Sequence, residues 1–400
     1  MSKLARKTLP IEVHADTQQP LGMPAARFLR DYWQKRPLLI RNAFSNFVPP
    51  LMPDDLAGLS CEELALSRIV LRDVRHDKWK LKNGPFAESE FASLPDSHWT
   101  LLVQDVDKWD ADVAALLDRF DFLPSWRIDD VMVSYATNGG GVGAHLDQYD
   151  VFLLQGLGQR HWSISTDPNA SHDFRDDAEL KLLKRFEPTH TWVLDPGDML
   201  YLPPGIPHDG VGMGECMTFS LGMRAPASSE LLIAFAEQVA ANLPESQRYA
   251  DPDLQPGNDS GEIGAAALHC ARAALGACAQ AMPEQAFADF FGRFITSYRS
   301  AQIAAPPRRK IGADVLDGKL DGSVFVRNPW SRIAWRRTSR GATLYVAGEQ
   351  HPCPLGWARA LATRGRRVDG AALAKLPGRA AGISVLAALL RAGHLAMRQR

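Results

Sequence analysis

The stretch from Asn138 to Trp162 constrains the fold more than any other part of the chain. It opens as a glycine-rich loop, passes through His145-Leu-Asp147 into a β-branched and aromatic run, and reaches Gly156-Leu-Gly and Arg160-His-Trp. An apolar run bounded by glycine clusters reads as a strand between turns. The same pattern recurs on both sides. Strands are expected at Asp130–Tyr135, His145–Leu154, Arg160–Ser165, His190–Leu194, Met199–Leu202 and Cys216–Arg224. Gly139-Gly-Gly, Gly156-Leu-Gly, Asp195-Pro-Gly-Asp and Pro203-Pro-Gly-Ile-Pro separate them. Many short strands with Gly and Pro corners predict a sandwich or barrel of the jelly-roll or cupin kind.

Upstream, the pattern is mixed. Helices are expected over Ala25–Lys35, ended by Pro37, at Pro53 and Ser60 with acidic first turns, and over Asp110–Leu117. Strands are expected at Pro37–Arg41, Ile69–Arg72, Trp79–Lys82 and His98–Gln104. Downstream of Ala225 the period becomes helical. Ser228 or Ser229 can cap a helix to about Asn242, an alanine-rich helix spans Ile263–Met282, and Pro283 opens another through Phe287, Phe290, Phe291 and Phe294. With little barrel left to cover, these helices suit a homodimer interface. Ala304-Ala-Pro-Pro-Arg-Arg-Lys is a linker by composition. Beyond it, strands at Val324–Arg327, Ile333–Trp335 and Thr343–Val346 with helices at Gly356–Ala362 and Ala380–Ala392 suggest a winged helix. The chain therefore divides into 1–225, 226–303 and 304–400.

Four hundred residues, 46% hydrophobic and 23% charged, suit two or three globular domains. No apolar run reaches the length of a membrane helix, and no apolar segment follows the basic N-terminus as a secretory signal requires. Five scattered cysteines without a Cys-x-x-Cys pair suit a reducing cytoplasm. The net charge of −1 hides a segregation: Pro306–Arg400 carries 18 Lys and Arg against 5 Asp and Glu, and the preceding residues carry 27 against 41. An acidic body suits a basic substrate, and a basic tail suits nucleic acid or another anion.

A His-x-Asp pair alone says little, and His14-Ala-Asp16 is a second one, in a polar lead-in with no strand expected around it. His145 and Asp147 differ by their setting. On a strand, residues two apart share a face. His208, set by Pro203-Pro-Gly-Ile-Pro, is the candidate third ligand. Two imidazoles and one carboxylate match the facial triad of non-haem Fe(II) oxygenases. Arg160, on the next expected strand, suits the distal carboxylate of an α-keto acid, and Ser134 and Thr218 can supply hydroxyls beside it. His161, His172 and His190 lack a partner at i+2 and read as polar strand or loop residues.

Several blocks carry a resemblance. Asp31-Tyr-Trp-Gln-Lys-Arg-Pro-Leu-Leu-Ile, Arg127-Ile-Asp-Asp, Gly139 through Gly156, Pro196 through His208 and Ser220-Leu-Gly-Met-Arg-Ala-Pro are similar to the bacterial JmjC-type ribosomal oxygenases, in order over roughly residues 20–300. The resemblance implies a double-stranded β-helix followed by a helical dimerisation region and a C-terminal winged helix. It implies Fe(II) held by His145, Asp147 and His208, and 2-oxoglutarate held by Arg160 with Ser134 nearby. It also implies hydroxylation of the β-carbon of an arginine in a large-subunit ribosomal protein, with succinate and CO2 as co-products. Ala144 departs from the proline common before the first histidine, and the tryptophan-containing basic tail (Trp330, Trp335, Trp357) is less typical of the family. Two alternatives stay open: a related oxygenase acting on a ribosomal-protein histidine or a small molecule, and a non-catalytic ribosome-binding or RNA-binding module.

Overall fold

The computed structural model describes residues 9–255, 261–280, 282–297, 302, 304–307, 312–363 and 365–399. The basic N-terminal residues 1–7 and Arg308-Arg-Lys310 of the expected linker lie outside them. The chain forms two compact units, Met1–Ala225 and Pro226–Arg400.

Among the described residues, ten strands of the first unit join in one sheet. They are β1 (Glu12–His14), β2 (Leu38–Arg41), β3 (Ser67–Asp73), β4 (Lys78–Asn83), β5 (Trp99–Val103), β6 (Ile128–Ala136), β7 (Val151–Ile164), β8 (His190–Leu194), β9 (Met199–Leu202) and β10 (His208–Met223). The order is β1-β2-β9-β7-β10-β6-β5-β3-β4, with β8 added beside β7. β1 and β2 run parallel, so His14 lies on a strand after all, contrary to the expected unstructured lead-in.

Two expected boundaries are wrong for one reason. β7 is a single 14-residue strand, so Gly156-Leu-Gly is not a turn, and Arg160 shares a strand with Val151. β10 begins at His208 rather than Cys216 and runs 16 residues. Both strands are rich in glycine, which sequence patterns read as corners. Here the glycines serve close approach and bulging. A Cβ on Gly156 would lie 2.4 Å from the Phe219 ring, and one on Gly158, whose φ is +58°, would lie 2.1 Å from the Glu215 carbonyl. The β7–β10 register shifts there, between Met213 and Met217 and again at Thr218.

The N-terminal segment closes the core. Its helix, Ala25–Asp31, is shorter than the expected span to Lys35. The chain leaves it through Gln34, at φ +55°. The Gln34 N–H donates to the Tyr201 hydroxyl at 2.8 Å. Phe28 and Phe152 pack on Tyr201 with centroids 5.0 and 4.8 Å away. The expected helix at Ser60 is a turn: its hydroxyl donates back to Ala57 O (2.7 Å) and closes the helix Pro53–Leu59 instead of opening a new one.

In the second unit, the helices Ser228–Ala240 and Ala265–Gln280 bury none of their residues. The helix Glu284–Ser297 buries Phe290, Gly292, Ile295 and Thr296. It packs on a three-stranded sheet of β12 (Ile333–Thr338), β13 (Gly341–Val346) and β14 (Glu349–Cys353), where the Tyr345 hydroxyl donates to Asp289 at 2.6 Å. β11 (Ser323–Arg327) pairs with both β15 (Arg367–Asp369) and β16 (Leu395–Gln399). The helices Leu355–Leu361 and Arg379–Ala392 supply Trp357, Leu386 and Leu389 to this unit's core.

Fully buried Asp150 ties the first unit together. It accepts from the Tyr201 hydroxyl (2.6 Å), Gln34 Nε2 (2.8 Å) and Arg127 (3.2 Å). Asp150→Ala is expected to destabilise this unit by about 3–5 kcal/mol, because Arg127 loses its carboxylate, and the buried Tyr201 hydroxyl and the exposed Gln34 amide lose an acceptor. Urea unfolding followed by tryptophan fluorescence checks this, and a loss below about 1 kcal/mol contradicts the network's role.

Candidate active site

The site begins at a pair of main chains. His145 does not open a strand, as expected; it forms an isolated antiparallel bridge with His208. The His145 N–H donates to His208 O (3.0 Å), the His208 N–H donates to His145 O (2.8 Å), and Gly205 N–H donates to Asp147 O (2.7 Å). Pro203, Pro204 and Pro207 carry no N–H, so this pairing cannot grow into a ladder. The bridge therefore sets His145 and Asp147 in place without a strand.

The glycine loop before it is pressed against its neighbours. Gly139 N–H donates to Gly212 O (2.9 Å) and Gly212 N–H to Gly140 O (2.8 Å). A Cβ on Gly140 would sit 2.3 Å from Trp99 O, and one on Gly141 2.6 Å from Gly210 O. Side chains are excluded there because backbone meets backbone.

The bridge brings the His145 and His208 rings to a centroid distance of 4.2 Å. Each ring's Nδ1 is held by the carbonyl two residues earlier, Gly143 O for His145 and Ile206 O for His208, both at 2.8 Å. With Nδ1–H donating to a carbonyl, each Nε2 keeps its lone pair for a metal. His208 Nε2 lies 3.8 Å from Asp147 Oδ2. One ligand atom from each of His145, Asp147 and His208 lies within 4.8 Å of the others. Burial, then the adjacent His145, holds the His208 imidazole well below its usual pKa, so it stays neutral. Burial raises the Asp147 carboxyl, opposed by His145 and a hydrogen bond from Tyr149. Two imidazole nitrogens and a carboxyl oxygen form a donor set suited to a divalent cation.

Arg160, on β7, points into the same cavity and is 3% exposed. Its Nη1 donates to Ser134 Oγ and Thr218 Oγ1 and its Nη2 to Gly210 O, each at 3.2 Å, while Nε has no partner. Thr218 in turn donates to Gln155 Oε1 at 3.1 Å. Among the described residues no carboxylate pairs with this guanidinium. Burial lowers its pKa. A buried cation held only by neutral oxygens is suited to an anionic ligand.

Ser134 and Thr218 were legible in the sequence, but their neighbours on the same faces were missed. Stepping by two from Ser134 along β6 gives Met132 and Asp130. The same step from Thr218 along β10 gives Ser220 and Gly222. All four line the cavity, together with Tyr149. Burial, then Asp129 and Asp105, pushes the Asp130 carboxyl up to about 7. A Cβ on Gly222 would approach Asp130 Oδ1 to 3.0 Å, so the glycine leaves that carboxylate accessible. His161, His172 and His190 are not among the ligand group. His172 is exposed, and His190 stacks on Trp192 with centroids 5.6 Å apart.

Comparison with known proteins places this geometry. A JmjC domain model matches residues 115–231, and a ROXA-like winged helix model matches residues 277–396. The chain is 37% identical over 328 residues to the ribosomal protein uL16 3-hydroxylase of Escherichia coli K12, which covers 82% of this chain and 85% of that protein. It is 39% identical over 228 residues to a probable ribosomal oxygenase of Haemophilus influenzae, covering 57% of this chain and 54% of that one. The X-ray structure of E. coli YcfD superposes with a TM-score of 0.82 at 33% identity, covering 94% of this chain and 99% of that one. The structure of YcfD, a ribosomal oxygenase, in complex with cobalt and 2-oxoglutarate gives a TM-score of 0.79 at 33% identity, with the same coverage. Fold and donor set together define a JmjC-type oxygenase architecture. The chain belongs to the family of JmjC-type bacterial ribosomal oxygenases.

Co(II) added to the metal-free protein is expected to give a ligand-field absorption band that His208→Ala abolishes and His172→Ala leaves unchanged. A band that survives His208→Ala contradicts the assignment of this donor set.

Proposed function

We propose that this protein is an Fe(II)- and 2-oxoglutarate-dependent hydroxylase of a large-subunit ribosomal protein of the uL16 type, acting on the β-carbon of an arginine. One observation carries the reading: the free Nε2 atoms of His145 and His208, the Asp147 carboxylate and the unpaired Arg160 guanidinium converge on one cavity. The donor set fits Fe(II), and the buried guanidinium fits the distal carboxylate of 2-oxoglutarate. When bound, these groups supply oxidation by dioxygen that places a hydroxyl on a C–H carbon and releases succinate and CO2.

The protein's own residues bind and orient. Arg160, kept in one rotamer by Ser134, Thr218 and Gly210, presents a fixed fork to the co-substrate carboxylate. The carbonyls of Gly143 and Ile206 fix the two imidazole tautomers. Trp162 under the Arg160 guanidinium (5.2 Å) helps keep water from that end. Asp130 and Tyr149 also line the cavity, where a guanidinium would meet a carboxyl group and a phenol; this favours arginine over histidine as the substrate side chain.

The remaining assignments belong to this proposal. Residues 1–225 form the catalytic domain with its N-terminal extension, 226–303 a dimerisation region, and 304–400 a basic winged-helix domain that contacts ribosomal RNA; the protein works in the cytoplasm as a homodimer. Exposed Leu232, Ile233, Leu268 and Leu275 on the second unit's helices support the dimer. The charge of Pro306–Arg400 supports the RNA contact. Among the described residues, no helix is long and apolar enough to cross a membrane.

Succinate release from 2-oxoglutarate is expected to require a large-subunit ribosomal protein. Arg160→Met is expected to raise the KM for 2-oxoglutarate by about a hundredfold, the worth of a lost charge-assisted pair. Turnover indifferent to both would overturn the reading. A dimer by light scattering, and a weaker salt dependence of ribosomal RNA binding after deletion of 306–400, are the expected results for the quaternary and RNA assignments; a monomer or an unchanged salt slope contradicts them.

A further inference from the structure

Between β7 and β8 the chain makes an excursion, Ser165 to Thr189, with little regular structure and many charges. It reaches the iron-binding loop. Leu183 N–H donates to Ala144 O at 2.8 Å, on the residue immediately before His145. Leu182 is 3% exposed and lies against Gly143, where a Cβ would come within 2.8 Å of its methyl group. On the other side of Gly143 stands Trp79 of β4, 3.0 Å from the same Cβ position. Gly143 and Ala144 are thus gripped by two elements that are remote in sequence.

What holds those two elements together is Arg175. Its Nη1 donates to Asp77 Oδ2 (2.6 Å) and its Nη2 to Asp77 O (3.0 Å), on the β3–β4 turn. Its Nε and Nη2 also donate to Asp177 Oδ1 (2.9 Å) and Oδ2 (2.8 Å), within the excursion. Asp77 also accepts from Arg72 at 3.4 Å, and Arg72 lies 5.1 Å over the Trp79 ring. Inside the excursion, Phe174 bridges Leu183, and Arg175 N–H donates to Leu182 O at 2.7 Å. The guanidinium is therefore two short steps from the loop: through Leu182 and Leu183 on one side, through Asp77, Arg72 and Trp79 on the other.

We propose that Arg175 is a positioning residue for the metal site: it clasps the β7–β8 excursion to the β3–β4 turn and so holds Gly143-Ala144 and His145 in the ligating position. An exposed ion pair is ordinarily worth little, because water screens it and two flexible chains must be ordered. Here one guanidinium makes four hydrogen bonds to two carboxylates and a carbonyl, and its side chain is only 21% exposed. A multidentate clamp of this kind defines geometry as well as energy. His145 needs it because its backbone has a single bridge, to His208, and no ladder to stiffen it.

This inference rests on the reading of His145 as a metal ligand. The test is a Co(II) titration of the full-length protein, followed by absorbance, for wild type, Arg175→Met, Arg175→Lys, Asp77→Asn, the Arg175→Met/Asp77→Asn pair and His145→Ala. Arg175→Met is expected to weaken Co(II) binding about tenfold, the size of effect seen when a ligand's supporting contact is removed, and to alter the band shape. The melting temperature should stay within a few degrees of wild type. Arg175→Lys should restore part of the affinity. The double variant should be no weaker than Arg175→Met, since both changes open one clasp. Raising the salt should weaken Co(II) binding in wild type more than in Arg175→Met. Wild-type affinity and band shape in Arg175→Met, with binding lost in His145→Ala, overturns the clasp alone. Binding that survives in His145→Ala overturns the ligand reading on which it rests.

Discussion

A reciprocal pair of main-chain hydrogen bonds between His145 and His208 is the contact on which the rest of the first unit converges. It joins positions 63 residues apart. Long antiparallel strands bring them near, since β7 and β10 pair from Ile164 opposite His208 down to Val151 opposite Gly222. Three prolines on one side and a glycine-rich loop on the other stop the pairing from spreading. The result is a bridge stiff enough to set two imidazoles 4.2 Å apart, yet short enough to leave their outer nitrogens free. An ordinary ladder would have tied down more backbone and left less room for a ligand.

The second constraint is electrostatic. Burying Arg160 among hydroxyls and a carbonyl is unfavourable unless an anion arrives, because neutral oxygens offset only part of the lost hydration. The fold tolerates this because β6, β7 and β10 are firmly paired around it. Arg160, the three ligand residues, Asp130 and Tyr149 all line one cavity, so a cation and acidic groups are available to different parts of what binds there.

Much of this was legible in the residues and some was not, for definable reasons. The jelly-roll class followed from short apolar runs and Gly/Pro corners, and the site residues from a histidine pair with company. Two glycines misled the boundaries. At Gly156 and Gly158 the missing side chain makes room for Phe219 and for the Glu215 main chain, a tertiary demand that a one-dimensional pattern shows only as a turn. Asp130 escaped because it sits next to Asp129 in a polar run, and only the period of β6 reveals which of the two faces the cavity. The β7–β8 excursion carries no motif at all. Its bearing on the site comes from Leu183 touching Ala144, a contact that only the folded chain creates.

The central claim is that this cavity adds one oxygen atom from dioxygen to a ribosomal-protein side chain. Fragment mass spectrometry of large-subunit proteins, after incubation with the enzyme, iron and 2-oxoglutarate under isotopically heavy dioxygen, tests it directly. The account predicts the mass gain of one heavy oxygen at the β-carbon of a single arginine in a uL16-type protein, and none of that label when heavy oxygen is supplied only as water. No added oxygen on any ribosomal protein, or label drawn from water, would contradict it.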